Sequence, residues 1–336
     1  MPFPYQPSNE QDPNLFPIND PFGLRANIIP LFIRDENSGV VNGLGTAFRI
    51  DPWGRYLTAY HVLEHPKLPI LYNSEQLGRI FGFFSPGLVY GKPPIPHECF
   101  VSLKEIATFK GTKESPMPYE PDEAVNIFDC AKLIFDHNNI KVQEHREFLP
   151  LEVHGGEMPK IGDRVMAVGY PGVMNVVNEP QKNLVTFTEN LQGAIGRITK
   201  LHPKGRVGKA WPSFEVSCKW PSGISGGPIF NEDGKVIGIV SSSFYNPKLD
   251  EVSQGYSFWF RPILTMRNFL PSIDTDNSGN IKVWAILKEN PWEIKGIAAS
   301  KKQAEQMHKS LGNNYSVAYG SYMPNTDNFI FMNSIV

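Results

Sequence analysis

The stretch WPSGISGGPIFNEDGKVIGIV, residues 220–240, contains the residue type and spacing best suited to chemistry, a serine flanked by glycines. Its core, Gly223 to Gly227, fits two settings for a nucleophilic serine. In one setting a strand turns sharply into a helix and presents the serine at the bend. In the other, Ser225 lies in a turn between two β-strands. A glycine-rich turn without chemistry is the third interpretation.

The residues that follow Ser225 decide between these settings. The strand-to-helix elbow of α/β-hydrolases needs an amphipathic helix directly after the serine. Here two glycines and Pro228 lead into the apolar pair IF, the turn NEDG and the apolar run KVIGIV, a pattern typical of a β-hairpin. No helix of useful length fits before Pro247. The elbow is therefore excluded, and the sequence predicts a serine between strands.

The glycines of this turn predict a binding site for a negatively charged oxygen. Gly223 lets the backbone turn so that its N–H and that of Ser225 point into the same small volume. Two donors placed in this way stabilise the oxyanion that forms when a carbonyl is attacked. Gly226 and Gly227 keep the far side of the turn thin. We predict Gly223 and Ser225 as the oxyanion hole.

The base that such a serine needs is best matched by His61. A serine hydroxyl is a poor nucleophile by itself and is usually activated by a histidine that a carboxylate holds in place. His61 directly follows the strand-like run GRYLTAY, whereas His65 precedes Pro66 one helical turn further on. The other histidines lie in polar, loop-like or helical stretches typical of the surface: His97, His137, His145, His154, His202 and His308.

The carboxylate partner is predicted to be Asp129, in the run NIFDCAKLIF. An unpaired charge inside an apolar strand is costly, so Asp129 is expected to have a buried partner. Asp122 and Asp136 lie in looser, polar surroundings that indicate solvated side chains. Capping of a strand end, without chemistry, is the alternative role for Asp129.

Composition narrows the class of protein. The 336 residues suffice for two compact domains, or for one large domain with an appendage. A net charge of −2 with scattered lysines and arginines gives no reason to expect nucleic acid or a membrane surface as a partner. The three cysteines are too few and odd in number for a disulfide framework, which favours a reducing compartment. With no secretory signal and no apolar run near the roughly 20 residues of a membrane span, we expect a cytoplasmic protein.

Many short apolar runs, separated by 29 glycines and 30 prolines, indicate a mainly β protein built as a sandwich or barrel. One series of strand-like runs begins near residue 27, and a second begins at DRVMAVGYPG, residues 163–172. The predicted division is an extended proline-rich arm, a first barrel, a second barrel ending in a short helix, a linker, and a small β-α-β appendage with a structural or partner-binding role: 1–24, 25–150, 151–272, 273–280 and 281–336.

The linker sequence DTDNSGN partly resembles a calcium-binding loop. Asp274, Asp276 and Ser278 alternate, and Gly279 occupies the sixth position. The twelfth position, which requires a glutamate for calcium, is Ala285. We therefore predict a polar turn and no metal site.

Five pieces of the chain, in order, resemble the trypsin-like (chymotrypsin-fold) serine peptidases, with a pattern similar to the disulfide-free bacterial HtrA/Deg-like members. The resemblance covers about residues 27–270. The pieces are GLGTAFRIDPWGRYLTAYHVL, FDCAKL, GDRVMAVGYPG, GISGGPIFNEDGKVIGIVSSS and GYSFWFRPI.

The resemblance implies two packed antiparallel six-stranded β-barrels with a catalytic triad in the cleft between them. His61 would be the general base and acid, Asp129 would orient its ring, and Ser225 would attack the substrate. It implies a serine endopeptidase that hydrolyses peptide bonds in proteins or peptides through an acyl-enzyme, with no metal or organic cofactor. A catalytically silent barrel used for binding or as a scaffold is the alternative, although none of the triad residues is missing.

Two departures from the family pattern affect regulation. Ile224 precedes the serine where secreted members carry an aspartate that binds a newly released N-terminus. Any switch is therefore expected to be a partner or the ordering of a loop. The C-terminal appendage does not resemble the PDZ module of many HtrA-like members, so a role in periplasmic quality control is not inferred. The appendage or the N-terminal arm is expected to recruit the target or to couple activity to a partner.

The same resemblance predicts the residues that border the pocket for the substrate side chain preceding the cleaved bond. A lysine there favours an acidic or polar substrate residue, or else points to solvent. An adjacent tryptophan narrows the pocket or braces the loop. The predicted set is Lys219, Trp220, Ser241, Ser242 and Ser243.

Overall fold

The computed structural model describes the parts of the chain that carry both barrels and a C-terminal sheet. The described residues are 15–18, 24–35, 37–50, 54–64, 77–84, 96–112, 124–136, 138–146, 150–151, 153, 158–179, 184–188, 190–205, 211–244, 254–259, 281–298, 301–322 and 327–331.

The chain enters through a short strand, β1, and one helical turn, α1, and then forms a closed antiparallel barrel. The barrel order is β2-β3-β4-β7-β6-β5, and the turn α2 follows β4. The elements are β1 Phe16–Pro17, α1 Leu24–Asn27, β2 Ile28–Arg34, β3 Val41–Arg49, β4 Arg55–Thr58, α2 Tyr60–Leu63, β5 Ile80–Phe83, β6 Phe100–Thr112 and β7 Ala124–Phe135.

Aromatic side chains fill the first barrel. Tyr56, Phe84 and Phe135 are fully buried, and their rings meet edge to face at centroid distances of 5.3 to 5.8 Å. Edge-to-face pairs of this kind stabilise a core beyond the area they bury. The barrel is therefore a packed core with a fixed shape, which gives β4 and β7 defined positions.

A helix, α3, leads from the first barrel to the second series of strands. Six of these strands, β8, β11, β12, β15, β14 and β13, pair in a ring that returns to β8, while β9 and β10 form a separate hairpin. The elements are α3 Ile140–Arg146, β8 Arg164–Gly169, β9 Val177–Glu179, β10 Leu184–Thr186, β11 Gln192–His202, β12 Ser213–Val216, β13 Pro228–Phe230, β14 Val236–Phe244 and β15 Gln254–Trp259. The predicted mainly β, chymotrypsin-like fold with two antiparallel six-stranded units is confirmed.

The segment between β8 and β11 holds the two barrels together. The side-chain amide of Asn178 accepts from the N–H of Val41 at 2.8 Å and donates to the carbonyl of Val41 at 2.9 Å. The ring of Phe187 packs edge to face on Phe32 of the first barrel at 4.8 Å. The hydroxyl of Tyr170 donates to the carbonyl of Ile28 at 3.0 Å. These contacts fix the seam at which the candidate site lies.

Part of the predicted N-terminal arm lies on the second barrel. β1 pairs with β11, with Phe16 opposite Gly193. A Cβ atom on Gly193 would lie 2.6 Å from the Phe16 ring, so the ring occupies the space that a side chain there would need. Phe16 and Ile18 are buried.

The C-terminal residues form a four-stranded antiparallel sheet with one helix on it. The strand order is β17-β16-β18-β19. Ala304 of the helix packs on Ile286 and Ala298 of the sheet. The elements are β16 Ile281–Lys288, β17 Glu293–Ala298, α4 Lys301–Lys309, β18 Ser316–Tyr322 and β19 Phe329–Phe331.

The C-terminal sheet contains two strands more than the predicted β-α-β pattern, namely β17 before the helix and β19 at the end. The run EIKGIA is short and includes a glycine, and therefore gives only a weak strand pattern. Pairing with β16 supplies the stability that this local pattern lacks. The predicted short helix of the second barrel and the predicted linker lie outside the described residues.

The three cysteines are free and buried. Burial raises the pKa of the Cys218 thiol to about 12, which leaves it protonated at neutral pH. Within the described ranges, no group of three or more His, Cys, Asp or Glu side chains could hold a metal ion. The described helices also include none with the length and apolar character needed to cross a membrane.

A pair of isoleucine substitutions tests the second barrel core. Ile229 in β13 is fully buried, whereas the side chain of Ile161 is 66% exposed. Replacing Ile229 with alanine should lower the free energy of unfolding by about 2–5 kcal/mol because it leaves a cavity. Ile161→Ala should change it by no more than about 0.5 kcal/mol. Urea unfolding measures both, and equal losses would contradict this packing.

Candidate active site

His61 and Asp129 form the central pair of the candidate site. The backbone N–H of His61 donates to one carboxylate oxygen of Asp129 at 2.9 Å. The ring Nδ1 of His61 lies 3.1 and 2.9 Å from the two oxygens. The carboxylate is 4% exposed, whereas the histidine side chain is 38% exposed. The ring is thus held from the buried side, with Nε2 on the edge away from the carboxylate.

His61 occupies this place because the chain changes from strand to helix just before it. Ala59 has extended backbone angles, and the turn α2 begins at Tyr60. This change points both the N–H and the ring of His61 toward β7, where Asp129 lies. The side chains of Val62 and Leu63 anchor the turn in the core of the first barrel.

Asp129 is a buried carboxylate with donors from both barrels. Its second oxygen accepts a hydrogen bond from the hydroxyl of Ser241 on β14. Burial alone would raise the pKa of Asp129, but hydrogen bonds and charge from His61, together with the Ser241 hydroxyl, hold that pKa below its ordinary value. The carboxylate is therefore ionised at neutral pH.

The sequence predicts Ser241 as a pocket residue, and the structure places its hydroxyl on Asp129. Ser241 is 1% exposed and lies where the pairing of β14 with β15 is interrupted between Val240 and Ser242. A bulge re-aims the side chain of the unpaired residue. The contact with the carboxylate was not anticipated, because the letter pattern of a strand does not reveal a bulge.

The serine turn has the features of a type II β-turn. The N–H of Ile224 donates to the carbonyl of Pro221 at 3.3 Å, and Gly223 at the third position has a φ of 98°. A positive φ at that position favours glycine strongly. A Cβ atom on Gly223 would also lie 2.4 Å from the carbonyl oxygen of Tyr170. Sterics and backbone conformation therefore both require glycine here.

Within the described residues, two backbone N–H groups of this turn make no hydrogen bond. The N–H groups of Ile224, Gly226 and Gly227 donate within the second barrel. Among the residues that the structure describes, no acceptor lies within hydrogen-bond distance of the N–H of Gly223 or Ser225. Backbone N–H groups of a folded protein are rarely left unpaired, so these two donors are available to a ligand.

The turn lies directly against the strand end that carries His61. The carbonyl of Ser225 accepts from the N–H of Thr46 at 2.8 Å. A Cβ atom on Gly226 would lie 2.2 Å from the Thr58 hydroxyl and 3.2 Å from the nitrogen of Ala59, two residues before His61. Within the described part of the chain, the Ser225 hydroxyl makes no hydrogen bond.

The remaining predicted pocket residues differ from one another in burial. Trp220 is 2% exposed and packs in the core of the second barrel beside Cys218 and Ile224. Lys219 is exposed and Ser242 is half-buried. The side chain of Ser243 lies outside the described residues. Trp220 thus has the surroundings of a residue that braces the loop.

Thr46 is the residue at this site that sequence reasoning missed. It is fully buried and forms hydrogen bonds with both Gly223 and Ser225. The only signal in the sequence is a threonine within the run GLGTAF. A buried threonine in a strand is common, so this signal did not distinguish it.

Comparison with known proteins places the chain in a family. The family model described as "Trypsin-like peptidase domain" matches residues 45–239, a range that includes His61, Asp129 and Ser225. The chain belongs to the trypsin-like peptidase family. Among curated proteins, this trypsin-like peptidase is 24% identical over 272 residues to "Protease Do-like 5, chloroplastic" of Arabidopsis thaliana, over 78% of the chain and 69% of that relative.

Solved structures similar to this trypsin-like peptidase include two of the Rv3671c protease. The active form, from M. tuberculosis, has 17% sequence identity and a TM-score of 0.43, over 73% of this chain and 80% of that one. The inactive form has 18% identity and a TM-score of 0.38, over 70% of this chain and 84% of that one.

The buried carboxylate predicts a specific acid sensitivity. Because the pKa of Asp129 is lowered below its ordinary value of 3.8, its stabilising contribution is fully present above that value. The contribution is lost as the pH falls through the lowered pKa. The difference in free energy of unfolding between wild type and Asp129→Asn should therefore shrink as the pH falls from 6 toward about 2.

Urea unfolding across that pH range measures this difference. Asp136→Asn, which removes an exposed aspartate directly after β7, controls for the loss of one negative charge. A difference between wild type and Asp129→Asn that stays constant from neutral to acid pH would contradict the stabilised carboxylate.

Proposed function

We propose that this trypsin-like peptidase is a serine endopeptidase that hydrolyses peptide bonds in protein substrates. Ser225 is the nucleophile, His61 is the general base and acid, and Asp129 orients and stabilises the histidine. The N–H groups of Gly223 and Ser225 form the oxyanion hole. The observation that carries this proposal is the buried carboxylate of Asp129, which is bonded to His61 beside a serine turn whose Gly223 and Ser225 N–H groups donate to none of the described residues.

The first half of the reaction forms an acyl-enzyme. Nε2 of His61 takes the proton from the Ser225 hydroxyl while the serine oxygen bonds to the carbonyl carbon of the scissile peptide. The negative charge that develops on the carbonyl oxygen is stabilised by the two free N–H groups. The C–N bond then breaks, and the histidine gives its proton to the leaving amine.

The second half regenerates the enzyme. His61 takes a proton from water, whose oxygen attacks the acyl carbon, and the tetrahedral intermediate collapses to release the carboxylic acid and reprotonate Ser225. Asp129 supports both halves because it remains ionised and accepts from Nδ1–H, which leaves Nε2 free to accept protons. The Ser241 hydroxyl adds a donor that keeps this carboxylate charged.

We propose that a region outside the two barrels recruits the substrate. His61, Asp129 and Ser225 all lie in the barrels, and the C-terminal sheet of β16–β19 contributes none of them. We propose that this sheet binds a protein target or an activating partner in the cytoplasm. Mapping of new protein N-termini in cells that express wild type or Ser225→Ala would identify the substrates and the cleavage preference together.

Labelling with a fluorophosphonate probe tests the nucleophile. The purified wild type should be labelled, and Ser225→Ala should not be. Ser222→Ala is a matched control because it removes an exposed serine from the same turn and should label as the wild type does. A folded wild type without label, with and without added cell lysate, would identify a catalytically silent barrel. Equal labelling of Ser225→Ala would also overturn the proposal.

Substitution of Asp129 by asparagine tests the role of the carboxylate in turnover. The amide cannot stabilise the imidazolium and favours the wrong tautomer of His61, so cleavage of fluorescent casein should fall by about 10⁴-fold. Ser241→Ala, which removes a donor but keeps the charge, should cost far less. A loss for Asp129→Asn no larger than that for Ser241→Ala would contradict the assigned role.

A further inference from the structure

Thr46 occupies the seam between the barrels with all of its polar atoms engaged. Its N–H donates to the carbonyl of Ser225 at 2.8 Å. Its hydroxyl donates to the carbonyl of Gly223 at 2.7 Å and accepts from the N–H of Tyr170 at 3.0 Å. Its carbonyl accepts from the hydroxyl of Thr58 at 2.8 Å. One residue of the first barrel thus holds two carbonyls of the serine turn.

These bonds fix two of the peptide planes in the turn. The carbonyl of Gly223 shares a rigid plane with the N–H of Ile224, which donates to Pro221. The carbonyl of Ser225 shares a plane with the N–H of Gly226, which donates to Val240. Each plane is therefore held at both ends, with Thr46 at the carbonyl end.

The planes held by Thr46 alternate with the planes that carry the free donors. The N–H of Gly223 lies on the plane before the first of them, and the N–H of Ser225 lies between the two. Only φ and ψ angles connect successive planes. Fixing these two planes restricts the direction of the Ser225 N–H from both sides and that of the Gly223 N–H from one side.

We propose that Thr46 is a positioning residue that aims the N–H groups of Gly223 and Ser225 into one oxyanion site. The proposal rests on the proposed serine peptidase chemistry. If the two N–H groups no longer point at the same oxygen, the chemical step slows, because these donors act on a charge that appears only during attack. Thr46 itself does not touch the reacting atoms.

The hydroxyl is what this position requires. A hydroxyl donates one hydrogen bond and accepts others, so it serves Gly223 and Tyr170 at the same time. Valine has the shape of threonine but leaves that carbonyl and that N–H without partners at a fully buried position. Serine keeps both hydrogen bonds and loses only a methyl group.

The rate of fluorophosphonate labelling as a function of probe concentration tests this role. It separates the maximal rate constant of labelling, kinact, from the apparent dissociation constant of the probe, KI. For Thr46→Val, kinact should fall by about 10- to 100-fold, whereas KI should change by less than about twofold. Thr46→Ser should restore kinact to within about threefold of wild type.

Thr58→Val is the matched control. It removes a hydroxyl from an equally buried threonine that bonds Thr46 but none of the peptide groups of the serine turn. Its kinact should stay at least about tenfold above that of Thr46→Val. Equal values for the two valine variants would overturn the role of Thr46, because loss of any buried hydroxyl would then explain the effect.

Folding of each variant is checked by thermal unfolding before labelling. If Thr46→Val does not fold, Thr46→Cys takes its place, since a thiol is a weak donor and acceptor. Labelling of Thr46→Cys as fast as Thr46→Ser would overturn the proposal. If the wild type labels on Ser225 and Thr46→Val labels equally fast, only the role of Thr46 fails. If the wild type does not label, the proposed function itself fails.

Discussion

The carboxylate of Asp129 imposes the main constraint on the molecule. A charge that is 4% exposed in an apolar strand is stable only when donors surround it. His61 supplies donors from the first barrel, and Ser241 supplies one from the second. The two barrels must therefore dock in one register for the charge to be satisfied. The same docking brings the serine turn beside the histidine.

Close backbone contact between the serine turn and the first barrel is the second constraint on the site. Glycine at positions 45 and 226 allows the turn, β3 and the end of β4 to approach within distances that no Cβ atom would permit. Tyr170 and Asn178 tie the segment after β8 to the first barrel. The geometry of the site thus depends on backbone contacts between barrels as much as on the side chains that carry out the chemistry.

Local pattern was sufficient to predict a mainly β sandwich or barrel and to select His61, Asp129 and Ser225 as candidates, whereas the two six-stranded barrels were implied by the family resemblance. Each of these residues differs from its sequence neighbours in a visible way. His61 is a polar residue directly after a strand, Asp129 is a charge inside a strand, and Ser225 is a serine among glycines. Ser241 and Thr46 were not predicted in their observed contacts. Their importance depends on a bulge and on contacts between segments that are distant in sequence, and neither leaves a periodic signal.

The proposed reaction depends on a carbonyl oxygen being held by the backbone N–H groups of Gly223 and Ser225. A crystal structure of the protein phosphonylated by a fluorophosphonate tests this directly. The phosphorus should be bonded to the Ser225 oxygen, and the phosphoryl oxygen should lie about 2.7–3.1 Å from the nitrogens of both Gly223 and Ser225. A phosphoryl oxygen directed to solvent, or a phosphonate bonded to another residue, would contradict the account.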